Sequence, residues 1–183
     1  WVNLLVAVLG AVTLVTYLFI YTPLKRKSEW NTVIGAIPGA VPPLMGWAAA
    51  RGGVEFPLGW ILFGILFFWQ MPHFMAIAWM YRDDYEKAGF VMMPSAADGG
   101  ARTGRQAISH TLFLCIASLM PFTMKLAGAV YVSGAVLLGG LFLWAAVRFS
   151  RQLTRQSARL LFFASIIYLP LLLGLMVVDK LKI

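Results

Sequence analysis

Charge is scarce in this sequence. Only 12% of its 183 residues are Asp, Glu, Lys or Arg, while 61% are hydrophobic; soluble domains carry about a quarter charged residues. So little polar surface does not suit a water-soluble globule. Cysteine is nearly missing too. Cys115 stands alone, which excludes an internal disulfide and a Cys-x-x-Cys metal site, and its apolar neighbours suit a packed thiol. The start has neither the charged region nor the small-residue cleavage site of a secretory signal, being apolar from Trp1 to Leu24. Because the first residue is Trp1 and not Met, the chain is expected to be a fragment. There is no internal repeat, no low-complexity linker and no period-2 alternation, which argues against a transmembrane barrel.

What is present is a set of long apolar runs. A helix needs about 20 mainly apolar residues to cross a bilayer. Six stretches of that size carry no charge, counting His as neutral: Trp1–Leu24, Asn31–Ala50, Phe56–Tyr81, Gln106–Met124, Leu126–Val147 and Leu160–Val178. The expected fold is therefore all-α, a polytopic membrane helix bundle of about six transmembrane helices, with residues 1–183 as a single transmembrane domain.

Basic residues set the orientation. Alternate loops hold Lys25, Arg26 and Lys27, then Arg82, Lys87, Arg102 and Arg105, then Arg148, Arg151, Arg155 and Arg159. The other side holds only Arg51, Lys125, Lys180 and Lys182. The richer side is expected to face the cytoplasm, or the matrix in a mitochondrion. The net charge of +8 follows from this topology and gives no reason to invoke nucleic acid.

The longest polar stretch, Arg82 to Arg105, contains Pro94, Gly99 and Gly100 and four acids, Asp83, Asp84, Glu86 and Asp98. Asp83 and Asp84 follow the third span directly. Adjacent carboxylates at a helix mouth suit Mg²⁺, which one or two carboxylates hold while phosphates and water complete its shell. A solvated helix end with a local Arg82–Asp pair is the alternative. Within the same span lie Gln70, Pro72 and His73, and ionisable groups at membrane depth mark functional sites by default. His73 and Asp84 are 11 residues apart, which on a continuous helix returns them to nearly one face about 16 Å apart. A hydrogen-bonded packing histidine is the competing account of His73, and His110 suits an interfacial position.

In the first basic loop, Tyr17, Tyr21 and Lys25 share a face if helix continues through Pro23. Lys25 and Arg26 are either phosphate ligands or a topology anchor beside interfacial tyrosines. Asn31 then opens a span with Gly35, Pro38, Gly39, Pro42, Pro43 and Gly46, a poor straight helix that suits a cavity wall, while Gly35 and Gly39 permit close approach. Arg148, Arg151, Arg155 and Arg159 fall at helical spacings and read as one basic stripe, for anionic lipid heads or for a diphosphate.

The runs Phe68-Trp69-Gln70-Met71-Pro72-His73-Phe74, Arg82-Asp83-Asp84-Tyr85 and Ala88-Gly89-Phe90-Val91-Met92-Met93-Pro94 resemble those of the heme O synthases (protoheme IX farnesyltransferases), a branch of the UbiA-type intramembrane prenyltransferases. Tyr21-Thr22-Pro23-Leu24-Lys25-Arg26 and Gly39-Ala40-Val41-Pro42-Pro43-Leu44-Met45-Gly46-Trp47 fit the same family in the same order. The resemblance covers Tyr17 to Pro94. It implies a nine-helix bundle of which this chain begins at the fourth helix, located in the bacterial inner membrane or the mitochondrial inner membrane, with the active site on the cytoplasmic or matrix side. It implies transfer of a farnesyl group from farnesyl diphosphate to a vinyl group of heme B, with Mg²⁺ as the cation and heme B as substrate.

By the same resemblance, Asp83, Asp84, Lys25 and Arg26 are catalytic, with Asp83 and Asp84 on the metal. Tyr21, Asn31, Trp69, Gln70, His73 and Tyr81 bind substrate, with the porphyrin near His73, Trp69 and Pro42–Pro43. The family's Asn/Asp-rich motif is not in these 183 residues, so the fragment alone is expected to be inactive. The second acidic motif of the wider family has carboxylates four apart, whereas Tyr81 and Tyr85 stand at those positions here, which leaves the metal ligand open between Asp83 and Asp84. A relative acting on a quinone precursor and a fragment of a membrane transporter are the alternatives. The partners implied are the lipid bilayer and the two substrates; contact with a heme A synthase or between copies stays open.

Overall fold

The computed structural model describes residues 2–93 and 99–181. Pro94 and Asp98 of the polar loop, and Trp1 and Lys182, lie outside the described residues. All regular elements among the described residues are helices: α1 (Leu4–Val15), a π-helix (Thr16–Tyr21), α2 (Thr22–Leu24), α3 (Asn31–Arg51), α4 (Pro57–Met80), α5 (Arg82–Lys87), α6 (Gly99–Thr123), α7 (Ala129–Gln152) and α8 (Arg155–Val178). Six stretches are long and apolar enough to cross a membrane, Leu4–Leu24 counting as one of them.

Helix α4 is the hub, packing against α3, α6 and α8, while α6–α7 and α7–α8 pair as hairpins and α1 packs mainly on α3. Apolar side chains surround α4, as suits a helix enclosed by others. Lipid tails give helices little hydrophobic reason to associate, so close packing relies on small residues and interhelical hydrogen bonds. A Cβ on Gly104 would stand 2.8 Å from the Ser150 Cα, which lets α6 and α7 nearly touch. Buried alanines along α6, α7 and α8 continue this contact. The Tyr131 hydroxyl donates to the Ser118 carbonyl at 2.8 Å, and the Ser118 and Tyr168 hydroxyls bond each other at 2.8 Å, tying the three helices together.

Helix boundaries depart from the sequence expectation at informative places. Pro23 has no N–H to donate, and the turn before it re-registers as a π-helix. Both the backbone N–H and the hydroxyl of Thr22 reach the Tyr17 carbonyl. Helix therefore continues through Pro23, as the Tyr17–Tyr21–Lys25 spacing requires. Helix α6 begins at Gly99, seven residues before the expected Gln106, so Arg102 and Arg105 lie on a helix and not in a loop.

The four arginines do not form one stripe. Leu153 adopts φ 47°, ending α7, and Thr154 caps α8 through a reciprocal pair with Ser157. Arg148 and Arg151 belong to α7, Arg155 and Arg159 to α8. Nor does α4 run on into the acidic pair: Tyr81 leaves helical geometry at φ −116°, ψ 23°, and Asp83 and Asp84 start the separate α5. The single-face relation between His73 and Asp84 fails for that reason.

Candidate active site

One cavity of about 710 Å³ opens among α1, α3, α4 and the chain after α5. Its polar end is built from the first basic loop. Lys25 and the rings of Tyr17 and Tyr21 meet across two helical turns, with Nζ 4.4 Å from the Tyr21 centroid and 5.9 Å from that of Tyr17. Among the described residues no carboxylate pairs with this ammonium. Its charge is offset only by aromatic faces, which leaves it free for an anionic ligand.

The loop is held in place by backbone bonds. Val91 N–H donates to the Lys25 carbonyl at 2.9 Å. Asn31, buried at the start of α3, donates from Nδ2 to the Ser28 and Val91 carbonyls, both at 2.7 Å. Tyr85, Phe90 and Met92 are thereby brought to the cavity rim. Glu29 pairs with Arg102, fastening the same loop to α6.

Deeper in, the walls turn apolar. Gly35 admits the Tyr21 ring, since a Cβ there would stand 2.5 Å from its Cε2. Gly39 admits the Gln70 side chain, whose Nε2 donates to the Ala36 carbonyl at 2.6 Å. Phe74, Pro38 and Ile77 continue the wall, and Met45 lies against Gly10 farthest from Lys25. The cavity thus has one cationic end and a long apolar body.

The structure distributes the expected site residues unevenly. Tyr21, Lys25, Asn31 and Gln70 line this cavity. Arg26 is exposed and does not line it. Asp83 and Asp84 are exposed on α5, immediately before the cavity-lining Tyr85, and Asp83 lies 3.4 Å from Arg82. Among the described residues no third His, Cys, Asp or Glu joins them. Two exposed carboxylates, one of them beside Arg82, are too few for an all-protein cage and suit only the partial protein shell that Mg²⁺ accepts.

Trp69, His73 and Tyr81 lie elsewhere. Trp69 Nε1 donates to the Ser165 carbonyl and His73 Nδ1 bonds the Ser165 hydroxyl, both at 2.7 Å, so both face α8. Tyr81 lines a second cavity of about 790 Å³ between α4 and the start of α8, beside Arg155, Arg159 and Phe162. Pro42 is exposed, and Pro43 borders an apolar groove with Leu126 and Lys180 at the other end of the bundle; neither is near His73. Of the three prolines expected as cavity wall, only Pro38 serves there. Sequence reasoning missed Glu29, Phe74 and the rim role of Phe90 and Met92. Phe90 and Met92 lay within a recognised run, but Glu29 gave no local signal because its partner is 73 residues away.

The profile of the UbiA prenyltransferase family matches residues 1–167. The chain belongs to that family. Among similar curated UbiA-type relatives, the protoheme IX farnesyltransferase of Solibacter usitatus (strain Ellin6076) is 48% identical over 179 residues, covering 98% of this chain and 61% of the relative. That of Opitutus terrae is 48% identical over 181 residues with the same coverage of 98% and 61%. That of Koribacter versatilis is 45% identical over 188 residues, covering 97% and 59%. The chain therefore spans about three fifths of the length of the relatives it matches. A solved structure from a study of digeranylgeranylglyceryl phosphate synthase in membranes superposes with a TM-score of 0.80 at 18% identity, over 96% of this chain and 60% of that one. At that identity the likeness bears on the fold, a UbiA-type bundle of membrane helices.

Proposed function

We propose that the full-length gene product transfers a farnesyl group from farnesyl diphosphate to a vinyl group of heme B, making heme O, with the basic end of the bundle on the cytoplasmic or matrix side of the inner membrane. The observation that carries this reading is the cavity with Lys25 at its polar end and an apolar body extending to Met45 and Gly10, a shape matched to a diphosphate carrying a long hydrocarbon. The acceptor is taken from the relatives' name, protoheme IX farnesyltransferase.

Breaking the allylic C–O bond leaves negative charge on the diphosphate and a carbocation on the chain. Lys25, held over Tyr17 and Tyr21, meets the developing negative charge. Asp83 and Asp84 would hold Mg²⁺, whose positive charge offsets that of the diphosphate. Arg26 adds to the potential at the mouth. Asn31 and Gln70 act on position: Asn31 spends both amide N–H groups on the Ser28 and Val91 carbonyls and Gln70 donates to the Ala36 carbonyl, fixing the rim and the α3–α4 wall. Phe74, Ile77 and Pro38 keep water from the cation.

Lys25→Ala is expected to raise the KM for farnesyl diphosphate by at least about tenfold, the loss of one charge-assisted contact, while the KM for heme B holds. Unchanged kinetics with altered membrane orientation would make Lys25 a topology anchor and overturn its role.

A further inference from the structure

The cavity under α1 and α3 has two ends that can be located on both helices. Lys25 Nζ lies 4.4 Å from the centre of the Tyr21 ring, and that ring packs on Gly35 of α3. The cationic end therefore stands level with Tyr21 on one wall and with Gly35 on the other. At the far end Gly10 of α1 faces Met45 of α3, where a Cβ on Gly10 would stand 3.3 Å from the Met45 Cε. Among the residues of α1 and α3 that line the cavity, these two lie farthest from Lys25. Beyond them the helices close on each other: Asn3, at the N-cap of α1, donates from Nδ2 to the Ala48 carbonyl at 2.9 Å.

Each wall gives the depth independently. Gly10 is 11 residues from Tyr21 along α1 and the π-helix, and Met45 is 10 residues from Gly35 along α3. At helical rise both distances come to about 15–16 Å. An extended chain advances about 1.2 Å per bond, the reach of a polypeptide residue spread over its three bonds. Each isoprene unit adds four chain bonds, so two units span about 10 Å, three about 14 Å and four about 19 Å. A fifteen-carbon chain fits between the ammonium and the Gly10–Met45 contact. A twenty-carbon chain overruns it by most of an isoprene unit.

The walls between these ends suit a hydrocarbon. Leu14, Pro38 and Phe74 line them, and Thr13 spends its hydroxyl on the Leu9 carbonyl at 2.7 Å. Met45 is unbranched, with a soft, adaptable tip that fills a gap without a fixed shape.

We infer that Gly10 and Met45 form a floor that measures the prenyl chain, so that the cavity selects a fifteen-carbon diphosphate over a twenty-carbon one. This rests on the cavity being the prenyl-diphosphate site of the proposed function. Met45 sets where the chain stops. Gly10 leaves room for the last isoprene unit, which a larger side chain at that position would fill.

The test is calorimetric binding of geranyl, farnesyl and geranylgeranyl diphosphates to the full-length gene product, followed by turnover of each with heme B. Affinities for different chain lengths are compared as ratios within one preparation, which makes them independent of the folded fraction. The wild type should bind farnesyl diphosphate more tightly than geranylgeranyl diphosphate. Met45→Ala opens the floor and should raise the geranylgeranyl-to-farnesyl affinity ratio by at least about tenfold, the discrimination that a methylene or more commands in an apolar pocket. Gly10→Leu raises the floor and should lower the farnesyl-to-geranyl ratio by a similar factor. Gly46→Ala, where a Cβ meets nothing within 4 Å, should keep the wild-type ratios. Wild-type ratios in both floor variants, or equal binding of the two longer diphosphates by the wild type, would overturn the floor, and farnesylated heme formed in the same samples would leave the proposed function standing. Ratios that shift as expected while heme B stays unreacted would uphold the floor and overturn the proposed acceptor.

Discussion

Gly35 and Gly39 sit four residues apart on α3, and each makes room for a side chain from another element. Without a side chain of its own, Gly35 lets the Tyr21 ring approach α3 closely at the cavity mouth, and Gly39 lets Gln70 cross from α4. Gly35→Ala would set a methyl 2.5 Å from the Tyr21 ring, an overpacking that costs about 1–3 kcal/mol if the ring stays. The ring is expected to swing into the cavity, raising the KM for farnesyl diphosphate. Gly46→Ala on the same helix is the control, since a Cβ there meets nothing within 4 Å, and equal KM values for the two variants would contradict the account. At this scale the sequence is informative where partners are local. The spacing of Tyr17, Tyr21 and Lys25 announces their contact. The small size of Gly35 and Gly39 announces close approach, but not what approaches. His73 is recognisable as unusual, whereas Ser165, its hydrogen-bond partner, is 92 positions away and unreadable from the local pattern.

Elements break where backbone chemistry, and not hydrophobicity, decides. The span Phe56–Tyr81 and the acids after it read as sharing a face if the helix is continuous, yet Tyr81 ends α4 and the acids lie on α5. The arginine run between α7 and α8 is likewise divided by a capping pair, Thr154 and Ser157, whose Thr-x-x-Ser spacing lacks the usual Glu or Gln at the fourth position. A helical wheel assumes a continuous helix and so misplaced both groups. The break gives the acidic pair a testable asymmetry. Asp83 is 78% exposed and lies beside Arg82, while Asp84 makes no ion pair among the described residues. Asp84→Ala is expected to lower turnover by at least about tenfold, and Asp83→Ala by less, in assays run across a Mg²⁺ titration. Near-normal turnover in both variants with unchanged Mg²⁺ dependence would leave α5 as a solvated helix end.

At the scale of the molecule, the number of spans and the segregation of basic residues were readable because both follow from composition. The apolar runs correspond to helices long enough to cross a membrane, and Lys25, Arg102 and Arg155 come to one end because successive helices alternate in direction. The division of space around α4 was not readable. It depends on which face of α4 meets α3 and which meets α8, and an apolar periphery on all sides of that helix hides the answer. Two cavities share the Ile77 ridge of α4, and the central claim of the proposed function is that a prenyl group from a diphosphate held in the one under α1 and α3 is transferred to heme B. The most direct measurement of that claim is product analysis, by chromatography with mass detection, of membranes containing the full-length gene product supplied with farnesyl diphosphate and an equimolar mixture of heme B and 4-hydroxybenzoate. The account predicts a farnesylated heme and unmodified 4-hydroxybenzoate; prenylation of 4-hydroxybenzoate with heme B left unreacted would contradict it.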